Sequence, residues 1–144
     1  MKILVNNKKA YYDYAIGDSL VAGLMLSGSE VKSLKNGQGS LAGSYVSVRD
    51  ETPYLVHAHI SPYKYSGAKG FEPERERRLL LNKSEIKALV GKEKGLVIIP
   101  MEIFEDGRGL VKLKIGLGKA KKKYDKRETI KKREVERRIR RGED

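Results

Sequence analysis

Residues 118–144 carry 13 Lys/Arg against 6 Asp/Glu, a net charge of +7 in 27 residues, with no Pro, no Trp and few apolar side chains. Such a segment buries too little apolar surface to offset the entropy of ordering it. A core therefore has to be built from the residues before it, which are enough for one domain of ordinary size. The chain divides into a body, 1–117, and a basic tail, 118–144. The whole carries +12, so the body holds the remaining +5. A dense cation array without a core is a device for meeting a polyanion. There is no Cys, which excludes a disulfide framework, a cysteine zinc site and a thiol nucleophile. The apolar runs at 20–26 and 96–100 are far too short to span a bilayer. The opening MKILVNNKKA lacks a long apolar stretch and a cleavage site. The expectation is a cytoplasmic protein with no membrane contact.

Strand patterns dominate the body. In 110–117, Val111, Leu113, Ile115 and Leu117 alternate with Lys112, Lys114 and Gly116. Period-two alternation means one buried and one wet face, and the wet face carries both lysines. The run 96–104, the turn residues 105–109 and this strand read as a hairpin. Further strands are expected at 11–16, 20–26, 45–49 and 54–60, about six in all. That count points to an all-β-dominated body, an OB-type antiparallel barrel with flanking helices.

Asn82 followed by Glu85 reads as a capping box opening a helix, with Ile86, Leu89 and Val90 at helical spacing and Gly91 suited to a left-handed end. Ser27 with Glu30 reads as another, for a helix over 30–35 that Gly37 stops. Residues 61–78 read as a loop. In the tail, Glu128–Lys132, Glu134–Arg138 and Glu136–Arg140 are favourable i,i+4 pairs. The apolar stripe is thin, so the tail is expected to be disordered when free and helical on binding. A membrane-surface helix needs Trp, Phe or Leu on its apolar face, and the tail has none. RNA is the better partner, with Tyr124 able to stack on a base while cations hold phosphates.

The segments NNKKAYYDY (6–14), AGLMLSGSEVKSL (22–34), HISPY (59–63), RRLLLNKSEI (77–86) and GLGKAKKKYDKRETIKKR (116–133) occur in this order. Together they make the chain resemble the SsrA-binding protein (SmpB) family, the protein partners of tmRNA in ribosome rescue. The resemblance implies an OB-type fold, binding to the tRNA-like domain of tmRNA, and delivery to stalled ribosomes for trans-translation. It implies contact with small-subunit ribosomal RNA at the decoding centre through the tail, and indirect partnership, through tmRNA, with EF-Tu and alanyl-tRNA synthetase. It implies no catalysis, no cofactor, no metal and a monomer.

Carried over position by position, the resemblance assigns tmRNA binding to Asn7, to Glu30, Lys32 and Ser33 of the EVKSL segment, and to Leu80. Lys119, Lys121 and Lys122 form its basic strand-end cluster. Asn82, which follows the leucine run, and the wet-face Lys112 and Lys114 join the same set. The ribosome-facing tail residues are Tyr124, Asp125, Lys126 and Arg127, followed by Lys131, Lys132 and Arg133. Two departures stand out. Val21 occupies a position where the family usually has glutamate. Gly118 and Ala120 exchange the family's Ala and Gly, which is expected to shift the hinge between body and tail.

Plainer readings compete at three places. His57 and His59, two apart on one expected strand, share a face, and any metal there would need a carboxylate to complete it. Glu30 has no nucleophile or second carboxylate placed beside it by motif, so helix capping or RNA positioning outranks general-base chemistry. In Leu79-Leu80-Leu81 the middle residue faces away from its neighbours, putting Leu80 outside and the other two inside. The competing function is a structural ribosome-associated OB-fold protein bound to ribosomal RNA. A nuclease would need clustered Asp/Glu, which the sequence lacks.

Overall fold

Alternating apolar residues in long strands favour a sheet with one face closed over a core, and the computed structural model has that arrangement. It describes residues 2–62, 72–92 and 94–121. In order, these form β1 (Lys2–Asn6), α1 (Lys8–Asp13), β2 (Tyr14–Leu24), α2 (Gly28–Lys35), β3 (Gly39–Ser40), β4 (Tyr45–Arg49), β5 (Thr52–Val56), β6 (His59–Ile60), β7 (Arg77–Leu80), α3 (Lys83–Val90), β8 (Val97–Glu105) and β9 (Val111–Ala120). Seven strands make one antiparallel sheet in the order β1-β8-β9-β2-β7-β5-β4, and β3 pairs with β6. The sheet curls until β4 lies against β8, the OB-type arrangement expected.

Leu113 and Ile115 of β9, Ala22 of β2, Leu79 of β7, Leu55 of β5 and Ile103 of β8 point into the main core with Leu34 of α2 and Leu89 of α3. Both helices start as the capping boxes predict: Ser27 Oγ accepts from Glu30 N–H at 3.2 Å, and Asn82 Oδ1 accepts from Glu85 N–H at 2.8 Å. Gly37 ends α2 at φ +74. Gly91 ends α3 at φ −85, so its place there does not use the left-handed freedom expected of it.

Several strand boundaries differ from expectation. The tyrosine-rich 11–16 stretch is not a strand throughout. Its first half is helical because Ala10 and Tyr11 pack on Ile99 and Met101 in a second, small core. The second half opens a single long β2, which absorbs the expected 20–26 strand and crosses an irregularity between Ile16 and Ser19. The 54–60 strand breaks at His57, which sits at φ +61. His57 and His59 therefore share neither a strand nor a face, and the paired-histidine reading falls. Arg77 and Arg78, expected in a loop, begin β7. β1, β3 and β7 raise the strand count above six.

β9 continues beyond residue 117 to Ala120, pairing with Tyr14–Ile16 on one side and Val97 on the other. Gly118 is thus an interior strand residue and not a hinge. A Cβ there would lie 2.7 Å from the Ala15 carbonyl oxygen, so the Gly/Ala exchange goes with close approach of β2 to β9. Gly116 serves the small core in the same way: a Cβ would meet Met101 Sδ at 2.5 Å and Ile16 Cγ2 at 2.7 Å. Gly116→Ala is expected to cost about 1–3 kcal/mol by overpacking, measured by urea unfolding; an unchanged midpoint would show that the Met101 and Ile16 side chains yield freely. Among the described residues no helix is long and apolar enough to cross a membrane.

Candidate nucleic-acid interface

The sheet face opposite the main core is divided. At one end α1 and the small core cover Gly116. At the other end the face is open over β9, β2 and β7, whereas on β8 Phe104, opposite Lys112, and Glu102, opposite Lys114, are buried. There Leu80 of β7 pairs with Gly23 of β2, and Gly23 with Lys112 of β9; in the next row Val21 pairs with Lys114. Directly opposed residues in an antiparallel sheet share a face, so the four side chains of Leu80, Lys112, Val21 and Lys114 form one surface around Gly23. Leu80 is 52% exposed, Met25 50% and Val21 45%. A Cβ on Gly23 would sit 3.2 Å from that of Leu80, so the glycine lets the leucine lie across β2.

Cations frame this apolar patch. Arg78 is exposed with the same strand parity as Leu80. Arg75 Nη2 donates to the Met25 carbonyl at 3.4 Å. Lys112 Nζ lies 3.3 Å from Asp106 Oδ2. The Leu110 and Arg108 N–H groups, followed by Lys112, hold the Asp106 carboxyl below its usual range. An apolar floor edged by cations suits a nucleic acid that presses sugars and bases on the floor and sets phosphates against the edge.

Glu30 and Ser33 are not part of this surface. Both are buried, at 1% and 0% exposure. Glu30 Oε1 accepts from the Ser27 N–H at 2.9 Å and from Arg75, and Oε2 accepts from Arg77 Nε at 2.8 Å. The fully buried Arg77 also donates to the carbonyls of Ala58 at 2.5 Å and Pro73 at 2.9 Å. Of the two roles expected for this carboxylate, capping and RNA positioning, the structure has the first: one oxygen caps α2, and the pair with Arg77 ties α2 to β7. Burial pushes the Glu30 carboxyl up, but Arg75, the Ser27 N–H and Arg77 together hold it below its usual value. Of the EVKSL residues, only Lys32 is exposed among the three assigned to RNA. Asn82 is exposed, yet its side-chain oxygen is occupied by the Glu85 N–H and the Ser84 hydroxyl, so its clearest role is the cap.

Asn7 and Lys121 lie elsewhere, around α1. Asn7 Nδ2 donates to the Pro100 carbonyl at 2.8 Å. Lys121 donates from its backbone to the Asp13 carbonyl at 2.8 Å and from Nζ to the Tyr11 carbonyl at 3.0 Å. Lys119 is exposed at the far end of β9, seven residues from Lys112, or roughly 23 Å along a strand. The basic residues thus fall at both ends of one strand. Lys122 and the tail residues Tyr124, Asp125, Lys126, Arg127, Lys131, Lys132 and Arg133 lie outside the described residues, as does the expected disorder-to-helix behaviour of the tail.

Three residues of the open face, Val21, Met25 and Arg78, are missing from the sequence-based set. Alternation through 21–25 carries the signal: Ala22 and Leu24 have core parity, and Val21, Gly23 and Met25 have the opposite one. Arg77 is also legible that way, since it shares the parity of Leu79.

The model of the SmpB protein family matches residues 4–143. An SsrA-binding protein of Thermosipho melanesiensis is 48% identical over 142 residues, covering 97% of each chain. One of Pelobacter propionicus is 45% identical, covering 96% of this chain and 91% of its own. Among solved structures, a chain from work described as "tmRNA-SmpB: a journey to the center of the bacterial ribosome" is similar at 38% identity. It superposes with a TM-score of 0.68, over 82% of this chain and 84% of that one.

Proposed function

The chain belongs to the SmpB protein family, and on that premise we propose that it binds the tRNA-like domain of tmRNA and carries it to stalled ribosomes for trans-translation. The observation that carries the RNA-binding part is the open sheet face, with exposed Leu80, Val21 and Met25 edged by Lys112, Lys114 and Arg78. In this reading the factor works in the cytoplasm by binding alone and performs no catalysis. The body holds the RNA, and the basic tail meets small-subunit RNA at the decoding centre. EF-Tu and alanyl-tRNA synthetase are reached through the bound tmRNA.

Sequencing the RNA that co-purifies with the protein tests the proposal. One small stable RNA with a tRNA-like end is the expected result; ribosomal RNA alone would favour a resident ribosomal protein. Leu80 tests the face itself. Leu80→Ala is expected to weaken filter binding of the tRNA-like RNA while leaving the melting temperature nearly unchanged. Leu79, the inward neighbour at 1% exposure, is expected to behave oppositely, with Leu79→Ala costing about 2–5 kcal/mol of stability. Equal loss of stability in both, without a selective binding defect, would mean that the face is misassigned.

A further inference from the structure

A groove of about 380 Å³ runs between the start of α1, the turn before β4 and the start of β8, where the curled sheet closes on itself. Asn7, Lys9, Tyr14, Tyr45, Val97 and Pro100 are among its lining residues. Its size falls at the lower end of the ~300–1,000 Å³ of small-molecule sites, enough for a planar heterocycle. We propose that this groove takes a single unpaired RNA base, stacked on Tyr45 and read by Asn7, at a site separate from the Leu80 face; the proposal rests on the RNA-binding function above.

Asn7 occupies the N-cap position of α1, where an asparagine ordinarily accepts a bond from the helix, yet its side chain makes no cap bond. Its Nδ2 is instead spent on the Pro100 carbonyl. That bond orients the amide and leaves Oδ1 as an acceptor at the groove. An acceptor held this way suits the exocyclic amino group of adenine, cytosine or guanine. Tyr45 supplies the stacking plane. It is 47% exposed, a wide apolar face left in water beside a cavity. The His57 ring lies 5.6 Å from it, tilted by 56°, and His57 is set there by a left-handed backbone that a residue other than glycine seldom adopts. A ring already braced loses little freedom on binding. Lys9 is exposed at the groove and can meet the phosphate of the same nucleotide. Splayed bases stacked on aromatic rings are the usual way proteins read single-stranded elements within folded RNA.

The test uses the full-length protein and a transcript of the tRNA-like domain of tmRNA, titrated by filter binding at fixed salt. Tyr45→Ala is expected to weaken binding by about 5- to 150-fold, the loss of one base stack, and Tyr45→Phe to bind as the unaltered protein does. Placing an abasic site at each unpaired nucleotide in turn is expected to reproduce that loss at one position only. At that position the abasic RNA and Tyr45→Ala together lose no more than either alone. Melting curves of the exposed-site variants should coincide with that of the unaltered protein. If Tyr45→Ala binds normally while Leu80→Ala does not, the base pocket is wrong and the RNA-binding function stands. If every abasic loss adds to that of Tyr45→Ala, Tyr45 stacks no base and the pocket is likewise wrong. If the unaltered protein fails to bind the transcript, both readings fall.

Discussion

Arg77→Met is expected to destabilise the fold by about 3–5 kcal/mol, the usual cost of breaking a buried ion pair by removing one partner. In the native protein the guanidinium is fully buried and meets Glu30 Oε2 at 2.7–2.8 Å and the carbonyls of Ala58 and Pro73. Methionine fills similar space but strands both carbonyls, and it leaves the buried carboxylate to Arg75 and the Ser27 N–H. Arg75 is a weaker substitute because 38% of its side chain is exposed. Glu30→Leu alone should cost a similar amount by leaving Arg77 charged and buried. The double variant Glu30→Leu/Arg77→Met should recover part of the loss, since no isolated charge then remains. Urea unfolding of the four proteins measures the coupling. Single-variant losses below 1 kcal/mol would show that water relieves the site. The pH dependence has a definite sign. The folded Glu30 carboxyl titrates below its unfolded value of about 4.3. Its contribution is therefore complete above that pH and is lost as the pH falls through the lower folded value. In Glu30→Gln this acid limb should shrink; the similarly lowered Asp106 keeps it from vanishing.

A protein ending at Lys123 is expected to bind the tRNA-like RNA within about tenfold of the full chain, a loss of at most about 1.4 kcal/mol, and to support no peptide tagging on stalled ribosomes. The motivation is the division between a body with its own core and a segment of net +7 that cannot make one. Tyr124→Ala in the full chain should impair tagging more than any single Lys→Ala in the tail. One phosphate contact among many changes the salt slope by about one unit, whereas a lost base stack costs about 1–3 kcal/mol. A reconstituted tagging reaction beside a binding titration separates the outcomes. Normal tagging by the truncated protein would reduce the tail to a solvated arm and remove the decoding-centre reading.

Local rules carried some elements all the way. The strand at 110–117 was legible because its alternation is uninterrupted, although its extension to Ala120 was not. The starts of α2 and α3 were legible because a capping box is written within four residues, Ser27–Glu30 and Asn82–Glu85. The outward Leu80 between inward neighbours followed from strand parity alone, and Leu79 and Leu80 hold those faces. Where a segment's partner is distant in sequence, local rules failed. Residues 11–16 look like a strand by composition, yet 11–13 close a helix that starts at Lys8, because Ile99 and Met101 offer Ala10 and Tyr11 a surface to pack on.

The residues expected to meet RNA divide along the same line. Leu80, Lys112 and Lys114 reached one surface because parity is a property of each strand by itself, preserved whatever the strand pairs with. Glu30 went inward because its fate depends on Arg75 and Arg77, more than forty positions away, and no local pattern states that an arginine of core parity will meet it. The closeness of Asn7 to Tyr45 likewise exists only because the sheet curls until β4 reaches β8. By itself the sequence determined the charge, the strand faces and the helix caps, since these are set by residues within a few positions of each other. Which carboxylate is buried, which glycine is a close-packing site and where a groove opens were decided by tertiary structure, because each depends on the distance between segments that only the folded sheet brings together.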